Sequence, residues 1–181
     1  MSYVRVEILD TSKATQRFAN ALGRAPGELQ RAQYNAMQRA GQKARTQAGR
    51  FASARYQISA GQFKAHTSEK VQGAGSALMT ITFAGAVIPL KEFKVSAGAG
   101  GVFARAKQGG GTIRRGFIDA KLGGGVFERK GTPRLPIEQK YGPATPQMMN
   151  DEEVKSQMDQ TITQTYEERM EHEVARILNG W

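Results

Sequence analysis

Residues 37–51 have the sequence MQRAGQKARTQAGRF, in which apolar side chains recur at intervals of three and four residues. The apolar positions are Met37, Ala40, Ala44, Ala48 and Phe51. On a helix turning about 100° per residue they fall within roughly 80° of one another, so they form one stripe. Pro26 has the fixed φ angle that suits a first helical turn, and we therefore predict one amphipathic helix over residues 26–55. Because the stripe is mostly alanine, a partner element can approach it closely.

The opposite side of this predicted helix is basic. Its cations are Arg31, Arg39, Lys43, Arg45 and Arg50. A charged helix face is usually no more than a solvated surface, and that is the simplest interpretation. The alternative is a basic face that meets DNA or an acidic partner.

A different pattern, rich in β-branched and aromatic residues, begins at residue 77 and predicts a series of short strands. With an N-terminal strand at 3–9, the predicted strands cover residues 77–83, 87–95, 102–105, 116–118 and 126–129. Pro89 cannot donate a ladder hydrogen bond, so it confines the strand at 87–95 to an edge or a bulge. Ten glycines fall between residues 96 and 125, and this density predicts glycine-rich loops that are mobile or that allow close backbone approach.

The segment 132–149 contains four of the six prolines, which is incompatible with a single regular element. We predict an ordered, extended, proline-rich loop there, which either packs on the body of the domain or contacts another subunit. Near the N-terminus, the capping residues Asp10, Thr11 and Ser12 predict a short helix that ends at about Leu22.

The last predicted element is a long helix over residues 151–178, whose acidic first turn favours the helix dipole. Its apolar residues recur every four positions, at Val154, Met158, Ile162, Tyr166, Met170 and Val174. A repeat of four advances about 40° per step, so the stripe winds around the helix. We therefore predict two packing partners or a kink. The first half would cover the sheet, and the second half, with Tyr166 and Met170, would reach another subunit.

Together these elements predict an α+β fold in a single domain over residues 1–181, with a small antiparallel sheet packed by a basic N-terminal helix and a long acidic C-terminal helix. Leu, Ile, Val and Phe make up only 34 of the 181 residues, while alanine alone contributes 24. This composition predicts a thin core that is stabilised in part by the surfaces of partner molecules.

The net charge of +10 is unevenly distributed along the chain. Residues 150–181 carry eight acidic and three basic side chains, a charge of −5, and the remaining residues carry 23 basic and eight acidic side chains, a charge of +15. A basic body with an acidic end can pair head to tail with a copy of itself or with a neighbour. It can also attract polyphosphate.

No sequence pattern predicts catalysis, a cofactor or a metal site. The chain has no cysteine, and His66 and His172 are far apart, whereas metal sites need three or four ligands in close register. There is no nucleophile elbow, phosphate-binding loop or zinc-protease motif. The absence of cysteine fits a reducing cytoplasm. The chain also shows no signal peptide and no apolar run of about 18 residues, so we expect no membrane contact.

Four cations, Arg105, Lys107, Arg114 and Arg115, flank a glycine-rich tip at residues 108–111. A flexible tip of this composition can follow a phosphate backbone without distinguishing the base sequence. The simpler alternative is a solvated hairpin loop, which glycine and arginine also suit.

Several short motifs occur in order between residues 117 and 149. They are Phe117-Ile118, Gly125-Val126-Phe127-Glu128-Arg129, Arg134-Leu135-Pro136-Ile137, Tyr141-Gly142-Pro143 and Pro146-Gln147-Met148. This series resembles the prophage minor tail protein Z family of tailed phages, and with the flanking helices the resemblance covers about residues 30–178. The glycine runs at 109–111 and 123–125 are longer than we expect for that family.

The resemblance implies a non-enzymatic virion protein at the head-proximal end of the tail, present in the bacterial cytoplasm during assembly. It implies a function in tail completion and head–tail joining, and an α/β build with a small antiparallel sheet packed by helices. The implied partners are copies of the chain in a ring of six and the tail terminator, tail tube or neck proteins. If the ring surrounds the genome end, genomic DNA is a further partner, and Arg105, Lys107, Arg114 and Arg115 would face the lumen. We predict subunit contacts at Phe127, Arg129, Arg134, Pro136, Tyr141, Pro143, Tyr166 and Met170. The alternative hypothesis is a sequence-nonspecific DNA-binding module that uses the cations around residues 108–111.

Overall fold

The computed structural model describes residues 2–9, 26–74, 78–107 and 109–179. Within these ranges two long helices are combined with four small antiparallel sheets, which confirms the predicted α+β fold but divides the single predicted sheet into four. The predicted short helix ending at about Leu22 lies outside the described residues. None of the helices in the described ranges is long and apolar enough to cross a membrane.

Helix α1 (Pro26–Arg55) carries the predicted alanine stripe, and this stripe is buried. Ala32, Ala36 and Ala52 lengthen the stripe in both directions, while Phe51 is only half-buried. The basic residues on the other side of α1 are exposed, as predicted. The short helix α2 (Ala60–Ala65) follows, and it was not predicted.

The long C-terminal helix runs antiparallel to α1, because Arg55 at the end of α1 lies 3.1 Å from Glu153 in its first turn. Its bounds are Glu152–Leu178, and we call it α4. Its buried residues are Val154, Met158, Ile162, Thr165, Tyr166, Met170 and Val174. They face α1 along most of the helix, so the prediction of two packing partners was wrong. The alanine stripe of α1 also repeats every four residues, so both stripes wind in the same sense and the two helices stay in contact.

The first sheet is antiparallel and has the strand order β1-β3-β2. Its strands are β1 (Ser2–Leu9), β2 (Ser68–Ala74) and β3 (Leu78–Gly85), of which β2 was not predicted. In β3, the alternate residues Met79, Ile81 and Phe83 enter the core. Helix α1 lies close to this strand, because a Cβ at Gly41 would overlap Met79 Sδ.

The other strands form three small antiparallel sheets. These are β4 (Val87–Pro89) with β11 (Tyr141–Ala144), then β5 (Lys94–Gly98) with β6 (Gly101–Arg105) and β7 (Gly111–Ile113), and finally β8 (Gly116–Asp119) with β9 (Gly125–Arg129) and β10 (Ile137–Gln139). The predicted strand at 87–95 is divided by a 3₁₀ turn at Leu90–Glu92, and Pro89 lies in a two-stranded edge pair, as predicted. The glycine-rich stretch 96–125 is mostly hairpins rather than loops, because its glycines occupy strand ends and turns.

Residues 132–149 are ordered, but the prediction that they form one extended loop was wrong. They contain β10, β11 and helix α3 (Thr145–Met149), and the loop is confined to residues 130–136. Pro146 stands in the first turn of α3, where its missing N–H is not needed. Pro143 lies where the register between β4 and β11 shifts, so no regular ladder bond is lost.

Candidate interaction surface

One face of the β8–β9–β10 sheet carries two aromatic rings. Phe117 pairs with Phe127, and Phe127 pairs with Gln139, so these three side chains point to the same face. The ring centres of Phe117 and Phe127 are 5.9 Å apart with their planes tilted by 31°, a geometry at which aromatic pairs attract. Both side chains are only half-buried, so part of each ring is open to a partner.

Arg129 extends this aromatic pair. Its guanidinium carbon lies 4.5 Å from the centre of the Phe117 ring, in a cation–π arrangement. Gly125 makes room for the other ring, because a Cβ there would lie 2.9 Å from Phe127 Cε2. Arg129 is exposed, so the aromatic pair ends in a cation that faces solvent.

Tyr141 continues the same face beyond the sheet. Its hydroxyl donates a 3.1 Å hydrogen bond to Gln139 Oε1, and the residue is 50% exposed. Leu135, in the loop between β9 and β10, is 66% exposed and adds an apolar side chain. We call Phe117, Phe127, Arg129, Gln139 and Tyr141 together the sheet surface.

The charged side chains on the opposite face of this sheet pair with one another. Lys140 Nζ lies 2.7 Å from Glu128 Oε2 and 3.9 Å from Glu138 Oε2. The hydrogen bond to Glu128 raises the pKa of Lys140 above its ordinary value, although burial opposes this. The sheet surface therefore differs from the other face in presenting two aromatic rings and an arginine that lies over one of them.

Arg129 also borders a cavity of about 360 Å³ together with Arg114 and Arg115. The rest of the lining is rich in backbone: Gly98, Ala99, Gly101, Gly116, Gly131 and Thr132. Gly101 has a φ of 121°, and a Cβ at this position would overlap the carbonyl oxygen of Ile113, so only glycine fits. We call this site the arginine cavity, and its three cations would attract an anionic ligand.

The four cations predicted around one glycine tip do not lie together. Arg105 is at the end of β6 next to the tip, whereas Arg114 and Arg115 follow β7 at the other end of the hairpin. The two ends are roughly 13 Å apart, four residues at the strand rise. Arg105 lies over the ring of Phe103, 5.7 Å from its centre. Lys107 forms an ion pair of 2.8 Å with Asp151, so its charge is already balanced within the chain.

The predicted subunit contacts fall into two groups. Those on the sheet surface or beside it are exposed or half-exposed: Phe127, Arg129, Arg134, Pro136, Tyr141 and Pro143. Tyr166 and Met170 are 3% and 0% exposed and face α1, so their assignment to another subunit was wrong. The physical reason is that the winding stripe of α4 meets the equally winding stripe of α1.

The sequence indicated the basic face of α1 but not the groove that it borders. This groove lies between α1 and α4 and has a volume of about 610 Å³. Its lining residues are Arg39, Gln42, Lys43, Thr46, Gln47 and Arg50 from α1, and Thr165, Glu168, Arg169 and His172 from α4. We call it the helix groove. Its α4 side could not be predicted, because a winding stripe does not show which polar positions adjoin the partner helix.

No cluster of three or more His, Asp or Glu residues suited to a metal ion occurs in the ranges that the structure describes. A scan of protein-family models and searches of curated proteins and solved structures find no match to this chain.

Proposed function

We propose that this chain is a non-enzymatic structural protein of a phage tail. It would complete the tail and join it to the head by assembling with copies of itself and with the tail terminator, tail tube or neck proteins. One observation carries the proposal: three of the motifs that resemble the minor tail protein Z family meet on a single exposed face. These motifs contribute Phe117, Phe127 with Arg129, and Tyr141.

The chemistry of the sheet surface suits a protein partner. Aromatic and arginine side chains are enriched in protein interfaces and supply much of their binding energy, because they combine a large apolar area with specific polar contacts. Burial of adjacent exposed apolar side chains in an interface also removes apolar surface from water, which favours association. The sheet surface would therefore contact the next copy in a ring of six or a neighbouring tail protein.

A matched pair of variants tests this proposal. The sheet variant carries Tyr141→Glu on the sheet surface and Leu135→Glu in the adjoining loop. The control carries Leu178→Glu and Tyr34→Glu, which replace the same two residue types at exposed positions on the helices. We expect the wild type and the control to form the same discrete oligomer by light scattering. The sheet variant should be a monomer with an unchanged circular dichroism spectrum.

The outcome that contradicts the proposal is equally specific. If the sheet variant and the control have the same solution mass at every protein concentration, the sheet surface does not mediate assembly. If only the control loses the oligomer, the exposed helix residues mediate it instead.

A second candidate function is sequence-nonspecific DNA binding, and the arginine cavity favours it. Three arginines around a glycine-rich backbone can hold phosphate oxygens without distinguishing bases. The variant Arg114→Ser with Arg115→Ser should then bind duplex DNA at least tenfold more weakly than Arg31→Ser with Lys64→Ser, which removes the same charge elsewhere. Equal affinities of these two variants would exclude a role of the arginine cavity in DNA binding.

A further inference from the structure

The helix groove holds four cations that have no anionic partner among the described residues. They are Arg39, Lys43, Arg50 and Arg169. Within the described part of the chain, no carboxylate lies within 4.0 Å of any of their charged groups. By contrast, Arg45, Lys107 and Lys140 each have such a partner. The acid in the groove, Glu168, instead accepts a 3.0 Å hydrogen bond from Gln164 Nε2.

Thr165 adds a buried hydroxyl group to the α4 side of the groove. The residue is 5% exposed, and its Oγ1 has no hydrogen-bond partner among the residues that the structure describes. A buried hydroxyl without a partner is unfavourable. Threonine in a helix uses two χ1 rotamers, so a rotation about the Cα–Cβ bond can move the hydroxyl to a different direction. Thr165 can therefore donate a hydrogen bond to a ligand that enters the groove.

The length of the cationic row indicates the class of ligand. Arg39 and Arg50 are eleven positions apart on α1, which is about 16 Å along the helix axis. Phosphates in one strand of duplex DNA follow one another about every 3.4 Å along the axis, so a row of this length suits a chain of phosphates better than a single anion. Arginine, lysine, glutamine and threonine side chains are the usual donors to phosphate oxygens.

We infer that the helix groove binds a chain of phosphate groups, as in a nucleic-acid backbone, with Arg39, Lys43 and Arg50 along one wall and Thr165 and Arg169 along the other. An acidic helix of a second copy fits less well. A helix is about 10–12 Å wide, whereas a narrow phosphate ridge can follow the α1 wall. The inference does not depend on the tail proposal, because it concerns a different surface.

The test measures the anisotropy of a labelled random-sequence duplex at several salt concentrations. The groove variant carries Arg39→Ser, Lys43→Ser and Arg50→Ser, and the control removes the same charge at exposed positions outside the groove through Lys64→Ser, Lys94→Ser and Lys121→Ser. We expect the groove variant to bind at least tenfold more weakly than the control. We also expect the slope of log association constant against log salt concentration to be less steep by about 2–3 for the groove variant, because each lost phosphate contact reduces the slope by about 0.9.

Thr165→Val provides a second readout that does not change the charge. It should weaken binding several-fold without lowering the melting temperature, whereas Thr163→Val, at an exposed position of the same helix, should leave binding unchanged. Unlabelled duplex and long-chain inorganic polyphosphate then serve as competitors. Competition by both assigns the groove to phosphate chains in general, and competition by duplex alone assigns it to nucleic acid; either result supports the inference.

Three results would overturn the inference. The first is equal affinity of the groove variant and the control. The second is loss of DNA binding in the variant Arg114→Ser with Arg115→Ser but not in the groove variant. The third is a groove variant that keeps its DNA affinity but loses self-association, which would assign the groove to an acidic protein partner. A failure of the sheet variant to change the oligomer would affect only the tail proposal.

Discussion

Lys107 Nζ lies 2.8 Å from Asp151 Oδ2, and this ion pair ties the β6–β7 hairpin to the start of α4. The same oxygen lies 3.6 Å from Arg55 Nε and accepts a 3.3 Å hydrogen bond from the hydroxyl of Tyr56, both at the end of α1. The other oxygen of Asp151 accepts a 3.1 Å hydrogen bond from the backbone N–H of Glu153 and caps α4. One carboxylate, only 8% exposed, thus joins both long helices to a hairpin.

Replacement of Asp151 with alanine is expected to lower the free energy of unfolding by about 2–3 kcal/mol, because it removes the helix cap and leaves Lys107 and Arg55 without their shared partner. Asp159→Ala, at an exposed position of α4, should change the free energy by no more than about 0.5 kcal/mol. Urea denaturation of both variants measures this difference. Equal destabilisation of the two variants would show that the Asp151 contacts contribute little.

The stability should also depend on pH through Asp151. The hydrogen bond from Lys107 lowers the pKa of Asp151, with further contributions from the Glu153 N–H and the charges of Lys107 and Arg55, while burial opposes them. A carboxyl group with a lowered folded pKa stabilises the fold above its unfolded pKa of about 3.9, and this stabilisation is lost as the pH falls through the folded value. Below about pH 4, wild type should therefore lose stability more steeply than Asp151→Asn. Parallel pH profiles in urea denaturation would refute this assignment.

The alanine stripe of α1 should tolerate no larger side chain. Ala44 is completely buried where α1 faces α4, so Ala44→Leu must push the helices apart or force strained rotamers. We expect a loss of about 1–3 kcal/mol in the free energy of unfolding. Ala54→Leu makes the same change at an exposed position of α1 and should be nearly neutral. Thermal melts of both variants provide the comparison, and a neutral Ala44→Leu would mean that α1 and α4 are not closely packed.

Thr165→Val should stabilise the protein in the absence of a ligand. The buried Oγ1 of Thr165 has no partner in the described part of the chain, so replacing the hydroxyl with a methyl group removes an unfavourable buried polar atom. We expect a gain of about 1 kcal/mol in the free energy of unfolding. The exposed control Thr163→Val should show no gain. A clear loss of stability in Thr165→Val would indicate that the hydroxyl already has a hydrogen-bond partner.

The sequence predicted the elements in which apolar residues recur at a regular interval. The alanine stripe of α1 and the alternating residues of β3 each have one buried side, and the period of that side identifies a helix or a strand. Strand β2 has the polar sequence SEKVQGA, which carries no such period. The strands and the helix within residues 132–149 were missed because prolines usually interrupt elements, whereas here they stand at positions that do not need an N–H group.

The interaction sites were less predictable, because they depend on pairing between distant residues. Phe127 was selected from the resemblance, but its position between Phe117 and Gln139 follows from the strand register, which the sequence does not show. Register also separates Arg105 from Arg114. The helix groove depends on which side of α4 adjoins α1, and the four-residue repeat left that open.

The tail proposal is tested most directly by the mass of the purified chain in solution, measured by light scattering at low and high salt, with and without duplex DNA. We expect a discrete oligomer that the sheet variant converts to a monomer and that weakens at high salt, because the oppositely charged parts of neighbouring copies attract one another less under screening. A wild-type chain that stays monomeric at all salt and protein concentrations and associates only with DNA would contradict the proposal.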